Sequence, residues 1–177
     1  MIAIAKAATD SEVQVAAAYF ASLKPKPVIR VVETDVAPKT QIARVFYMLL
    51  PDGGTEPLGQ RIVEIPDDVQ QFEHRDPRSK FTAYVPTGSI IRGQALAKGS
   101  GPADPGACVT CHGPDLKGVD PVPGIAGRSP SYIVRQLYDL QQGSRAGDAS
   151  APMKPIVEKL SHQDMISLGA YIASLKP

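Results

Sequence analysis

The chain of 177 residues holds two cysteines, and both lie in one pentapeptide, Cys108-Val109-Thr110-Cys111-His112. No long-range disulfide can shape the fold, and any thiol chemistry is confined to this one place. The surroundings are equally restrictive. Glycine and proline together supply 32 residues, roughly 18% against a usual share of about 12%. Of these, 13 fall between Gly99 and Pro130. Such a stretch cannot be mostly regular structure. A long Gly/Pro loop either wraps something or is a linker.

Four uses of the pentapeptide compete. A zinc site needs two more ligands at Cys/His spacing; there is no third cysteine, and His74 and His162 form no second pair. A thioredoxin-like redox pair follows a strand and opens a helix, whereas here the approach is Gly-Ser-Gly-Pro-Ala-Asp-Pro-Gly-Ala. A disulfide across two intervening residues is strained and stabilises little. Covalent haem attachment remains. Two thiols at this spacing each add across one vinyl group, and the next histidine reaches the iron. We therefore expect haem c on Cys108 and Cys111, with His112 as proximal ligand. Histidine plus methionine is the pairing that raises the potential of an electron carrier. Met48 reads as strand core and Met165 as helix core, and Met1 is the chain end. Met153 stands in a loop between Pro152 and Pro155 and is the expected sixth ligand.

The two ends of the chain match. Residues 18–25 read Ala-Tyr-Phe-Ala-Ser-Leu-Lys-Pro and residues 170–177 read Ala-Tyr-Ile-Ala-Ser-Leu-Lys-Pro. Extending that register aligns Thr9…Glu12 with Ser161…Asp164, both capping boxes in form. It also aligns Met1 with Met153. Helices are expected over 10–23 and 162–175. Between the ends, 28–86 carries β-branched and aromatic runs at Val28–Val32, Ile42–Leu50, Arg61–Ile65 and Phe81–Val85, with a turn at Pro51-Asp52-Gly53-Gly54. From residue 87 the pattern is helix, Gly/Pro loop, helix, loop, helix. Ser89–Lys98 is an expected helix with Ile90, Ile91, Ala95 and Leu96 as its apolar stripe. Ser129 is an N-cap with Pro130 at the first helical position, and Tyr132, Ile133, Leu137 and Leu140 recur at helical spacing.

On Cys108, Cys111, His112, Met153, the Pro-Gly-Ile loop and the C-terminal Ala-Tyr-Ile helix, residues 87–177 resemble a class I c-type cytochrome domain. The stretch from Ile125 to Tyr132 with Gln136-Leu137 resembles bacterial di- or multi-haem cytochromes of the c4/c553 type. The resemblance implies that the Pro123 carbonyl accepts a hydrogen bond from Nδ1 of His112 and that Ile125 belongs to the haem loop. It also implies Arg128, Tyr132 and Arg135 as contacts for the haem propionates. In such domains the first and last helices cross at a small residue, and Gly93 facing Tyr171 fits. The expected fold is mainly α: a class I cytochrome c domain at 87–177, a strand-and-turn connecting segment at 28–86, and at 1–27 the C-terminal remnant of an upstream cytochrome domain. A degenerate duplication that lost its first haem half is the competing account of the repeat.

The functional expectation is electron transfer, with no catalytic role and with redox proteins as partners: a dehydrogenase, a terminal oxidase or another cytochrome. A subunit docked to a dehydrogenase through 28–86, or a haem enzyme with an open iron site, are the alternatives. Net charge +1 supplies no global field to attract nucleic acid or an anionic membrane. No apolar run is long enough to span a bilayer. Covalent haem is attached outside the cytoplasm, so a periplasmic or other extracytoplasmic location is expected, although the start Met-Ile-Ala-Ile-Ala-Lys lacks the form of a signal peptide.

Overall fold

The computed structural model describes residues 2–43, 46–100 and 108–177; the expectation placed on Met1, and that placed on the loop at 101–107, lie outside these residues. Two helices come first, α1 (Ile2–Ala7) and α2 (Asp10–Ser22). Strands β1 (Ile29–Glu33), β2 (Val36–Pro38), β3 (Thr40–Ala43), β4 (Phe46–Leu49), β5 (Thr55–Pro57) and β6 (Val63–Pro66) follow. Then come α3 (Val69–Glu73), β7 (Phe81–Val85), α4 (Ser89–Ala97), α5 (Cys108–His112), the two-residue strands β8 (Gly118–Val119) and β9 (Val122–Pro123), and α6 (Pro130–Gln141). A 3-10 turn (Asp148–Met153), α7 (Lys154–Val157) and α8 (His162–Ser174) complete the chain.

The β-branched runs at 28–86 pair as expected of residues that pack well on a pleated surface. A three-stranded sheet runs in the order β1-β7-β6, with β1 parallel and β6 antiparallel to β7. Two small antiparallel pairs, β2 with β5 and β3 with β4, flank it. The turn at 51–54 therefore joins β4 to β5 without pairing them. The run expected from Arg61 begins at Val63, because Arg61 folds back to donate to the Leu58 and Pro57 carbonyls and to Glu56. Over the whole chain "mainly α" is too narrow a description; helices predominate before β1 and from Ser89 onward, and strands predominate between.

Residues in register share a face. Val31, Glu33, Ala83, Val85 and Glu64 thus project to one side of the sheet, while Val32, Tyr84 and Val63 project to the other. That second side closes a small core with Ala37, Leu58 and Ile65. The first side bears Ala83 and Val85, both without exposed surface, and β1 packs on α8.

Helix α8 lies at the centre of the molecule. Its ten residues from Asp164 to Ala173 are all buried. Met165, Leu168, Tyr171 and Ile172 join the helical core with residues of α4, α6 and α7. Ile166, Ala170 and Ala173 recur on one face and are buried outside that cluster, on the side that the sheet covers. A helix apolar on all sides is a helix covered on all sides. Helix α4 presents Ser89, Gly93, Leu96 and Ala97 to the interior, not the expected Ile91 and Ala95. Ile91 is 72% exposed. The close seat of Gly93 on α8 rotates the stripe: a Cβ on Gly93 would overlap the Ser167 carbonyl and stand 2.7 Å from the Tyr171 Cβ.

The repeat helices are alike in detail. Each spans 13 residues, each starts with a complete capping box (Thr9 with Glu12, Ser161 with Asp164), and each ends at an extended leucine, Leu23 or Leu175. Their surroundings differ entirely, because α2 buries none of its residues.

Candidate haem site

The pentapeptide folds as α5, a helix of five residues that places Cys108 and His112 one turn apart. Both cysteines are free thiols; Cys111 is exposed and Cys108 partly buried against the helical core. Burial pushes the Cys108 thiol above its ordinary pKa, and the neighbouring Cys111 adds to the effect. His112 is 8% exposed. Its Nδ1 lies 2.7 Å from the Pro123 carbonyl oxygen, so Nδ1 carries the proton and donates. Nε2 is then the nitrogen with a free lone pair.

Pro123 stands in β9, paired with Gly118 of β8. The loop that follows is drawn tightly around Leu116. The amides of Ile125 and Ala126 both donate to the Leu116 carbonyl, at 2.8 and 3.0 Å, and Gly127 N donates to Ile172 O at 2.9 Å. Leu116 is fully buried and adopts φ +56°, a conformation that a bulky residue holds only when its surroundings impose it. Gly124 is required because a Cβ there would collide with the Lys117 backbone. Leu116 went unread in the sequence, where only the adjacent Lys-Gly hinted at a turn. Ile125 packs against the helical core as a half-buried residue.

Ser129 caps α6 through a hydrogen bond from Tyr132 N at 3.2 Å, with Pro130 in the first turn. Met153 closes the 3-10 turn, is partly buried and packs against the helical core to which Cys108 also belongs. Met165 is core at 1% exposure, as expected. Arg128, Tyr132 and Arg135 come together, but in a cleft shared with Lys26, Glu64 and Lys117 whose lining includes none of Cys108, Cys111, His112 or Met153.

These residues fit a covalently held haem on three observations. Two unpaired thiols share one helix with the histidine. The imidazole is aimed by a backbone carbonyl, the usual outer partner of a metal-bound histidine. A soft thioether lies on the same apolar core. His112 could supply a nitrogen ligand, Met153 a sulfur ligand, and the cysteines two points of attachment.

Comparison with known proteins points to one family. The family model described as Cytochrome c matches residues 90–176. Cytochrome c4 of Azotobacter vinelandii is 29% identical over 136 residues, covering 70% of this chain and 65% of that protein. Cytochrome c-554(548) of Halomonas halodenitrificans is 36% identical over 70 residues, 39% of this chain and 84% of that protein. A protein of Thiomonas intermedia named "Thiosulfate dehydrogenase electron acceptor" is 30% identical over 95 residues, 52% of this chain and 44% of its own length. The chain thus spans just under two thirds of the A. vinelandii relative.

Proposed function

This chain belongs to the cytochrome c family, and on that premise we propose that it is a one-electron carrier whose haem c is held by Cys108 and Cys111 and ligated by His112 and Met153. The observation that carries the reading is the buried His112 ring, hydrogen-bonded to Pro123 O on the same short helix as both thiols. Haem iron supplies the one-electron chemistry. The chain's own residues anchor the ring, fix the imidazole orientation through Pro123 and keep the site apolar with Leu116, Ile125 and Leu137. The reading makes the protein a carrier and not an enzyme, located outside the cytoplasm, with redox proteins such as a dehydrogenase as partners. The relative named as an electron acceptor supports that partner class. The test is a denaturing mass measurement with a haem count and an optical spectrum. Haem retained after denaturation with low-spin iron is expected. Loss of haem on denaturation overturns covalent attachment, and high-spin ferric iron overturns Met153 ligation.

The repeat supports a second haem unit closed by α2. Three of the four side chains that α8 turns toward the helices, Met165, Tyr171 and Ile172, have Val13, Tyr19 and Phe20 as their repeat counterparts, which are 54%, 61% and 67% exposed. The sheet-facing Ile166 aligns instead with Gln14. Helix α2 therefore keeps three of the four large residues of that helix-facing surface, with Ala16 at the place of Leu168, and on the sheet-facing side differs at Gln14 while Ala18 and Ala21 match Ala170 and Ala173. Residues 1–27, 28–86 and 87–177 are then the end of one haem unit, a connecting layer and a second haem unit. A haem count of two for the protein isolated from its source is expected; a count of one overturns the multi-haem reading.

A further inference from the structure

We infer that Glu64 is a positioning residue for the loop that holds His112, so that the strand layer tunes the iron site; this rests on the haem reading above. Among the described residues, three side-chain hydrogen bonds cross from 28–86 to 87–177, and two carboxylates make all of them. Glu33 on β1 accepts from Ile90 N at 2.8 Å, in the first turn of α4. Glu64 on β6 accepts from Ser129 Oγ at 2.7 Å and from Ser131 N at 3.4 Å, at the start of α6. Both glutamates stand on the helix-facing side of the sheet, and both meet the positive end of a helix dipole. The N-cap of α4 is Gly88, which has no side chain to cap with, so Glu33 supplies the missing acceptor.

The two contacts differ in what lies behind them. Ser129 ends the seven-residue stretch that begins at Pro123, the acceptor for His112. That stretch is held at its near end by the His112 and Leu116 contacts and at Gly127 by the Ile172 carbonyl. Glu64 holds its far end. Glu33 holds only α4, which has no side-chain hydrogen bond to this stretch among the described residues. Loosening the far end lengthens the bond from Nδ1 to Pro123 O. A weaker bond makes the imidazole a poorer electron donor, which disfavours ferric iron and raises the potential.

The test compares Glu64→Ala, Ser129→Ala and Glu33→Ala in the full chain with haem attached, by redox titration and thermal unfolding. All three are expected to lower the unfolding temperature. Only Glu64→Ala and Ser129→Ala are expected to raise the midpoint potential, and the double variant to raise it no further than the larger single shift. Glu64→Gln, which keeps an acceptor for the Ser129 hydroxyl, is expected to return the potential toward that of the unsubstituted chain. An unchanged potential in Glu64→Ala, or an equal rise in Glu33→Ala, overturns the inference. Amide hydrogen exchange at Ile125, Ala126 and Gly127 reads the same coupling without iron. Faster exchange in Glu64→Ala but not in Glu33→Ala is expected, and equal exchange overturns it. Absence of covalent haem from the unsubstituted chain overturns the haem reading alone, because the exchange comparison still decides the coupling.

Discussion

Gly93 of α4 lies against Tyr171 of α8 so closely that a Cβ on the glycine would stand 2.7 Å from the tyrosine Cβ. The approach is backbone to backbone, so no rotamer change relieves it. Helix α8 cannot withdraw either, since the sheet covers its far side. Gly93→Ala is therefore expected to destabilise the fold by about 3 kcal/mol, the upper range for overpacking a core. Chemical unfolding followed by circular dichroism measures this, and a shift under about 0.5 kcal/mol, the scale of an ordinary surface substitution, would refute the packing account.

Phe20 and Ile172 hold the same position in the repeat and opposite environments, 67% and 2% exposed. Ile172→Ala is expected to cost about 2–5 kcal/mol through lost burial and the cavity left behind. Phe20→Ala is expected to stay within about 0.5 kcal/mol in this chain. Denaturant midpoints of the two variants make the comparison. A large loss in Phe20→Ala would mean that α2 is covered by something within the chain.

Asp164 joins the capping box of α8 to Arg92 of α4, at 2.7 Å from the guanidinium. Burial opposes its charge, but hydrogen bonds from Ser161 and Arg92 outweigh burial and hold the carboxyl below its ordinary value of 3.8. A folded pKa below the unfolded one stabilises the protein above the unfolded value, and that stability is lost as pH falls through the folded value. The loss should therefore develop below about pH 4. Arg92 is half exposed, so solvent screens the pair and the contribution is on the order of 1 kcal/mol. Unfolding free energies of Asp164→Asn measured from pH 2 to 6 should show a smaller acid loss than the unsubstituted chain; identical slopes would refute the assignment.

Met153→Ala is expected to leave haem attached, because the thioethers do not depend on it, while lowering the midpoint potential. Axial ligands set haem potentials over roughly 0.8 V, so the change should be a readily measured part of that range. Binding of external ligands such as imidazole should strengthen at the same time. An unchanged potential would remove Met153 from the iron.

Much of the site could be read from residue order alone, because its constraints are local. The spacing of Cys108, Cys111 and His112 is a property of one helical turn, and the caps at Thr9, Ser129 and Ser161 satisfy amides three residues away. The strand at Phe81–Val85 followed from its β-branched and aromatic run. Gly93 against Tyr171 was also legible, through likeness to a known helix crossing. What escaped was everything set by partners distant in the chain. Glu64 and Ser129 are 65 residues apart, and neither side chain announces the other. Nothing local distinguished Ile91 from Ile90 as the exposed member of the pair, because the close approach at Gly93 chooses the face. Arg128, Tyr132 and Arg135 recur along one stretch, yet tertiary packing sets them in a cleft with Lys26 and Glu64. Two nearly identical helices make the division plain. Capping and propensity determined that 10–22 and 162–174 would both be helical, whereas burial, a property of the surrounding elements, made one the centre of the fold and left the other bare.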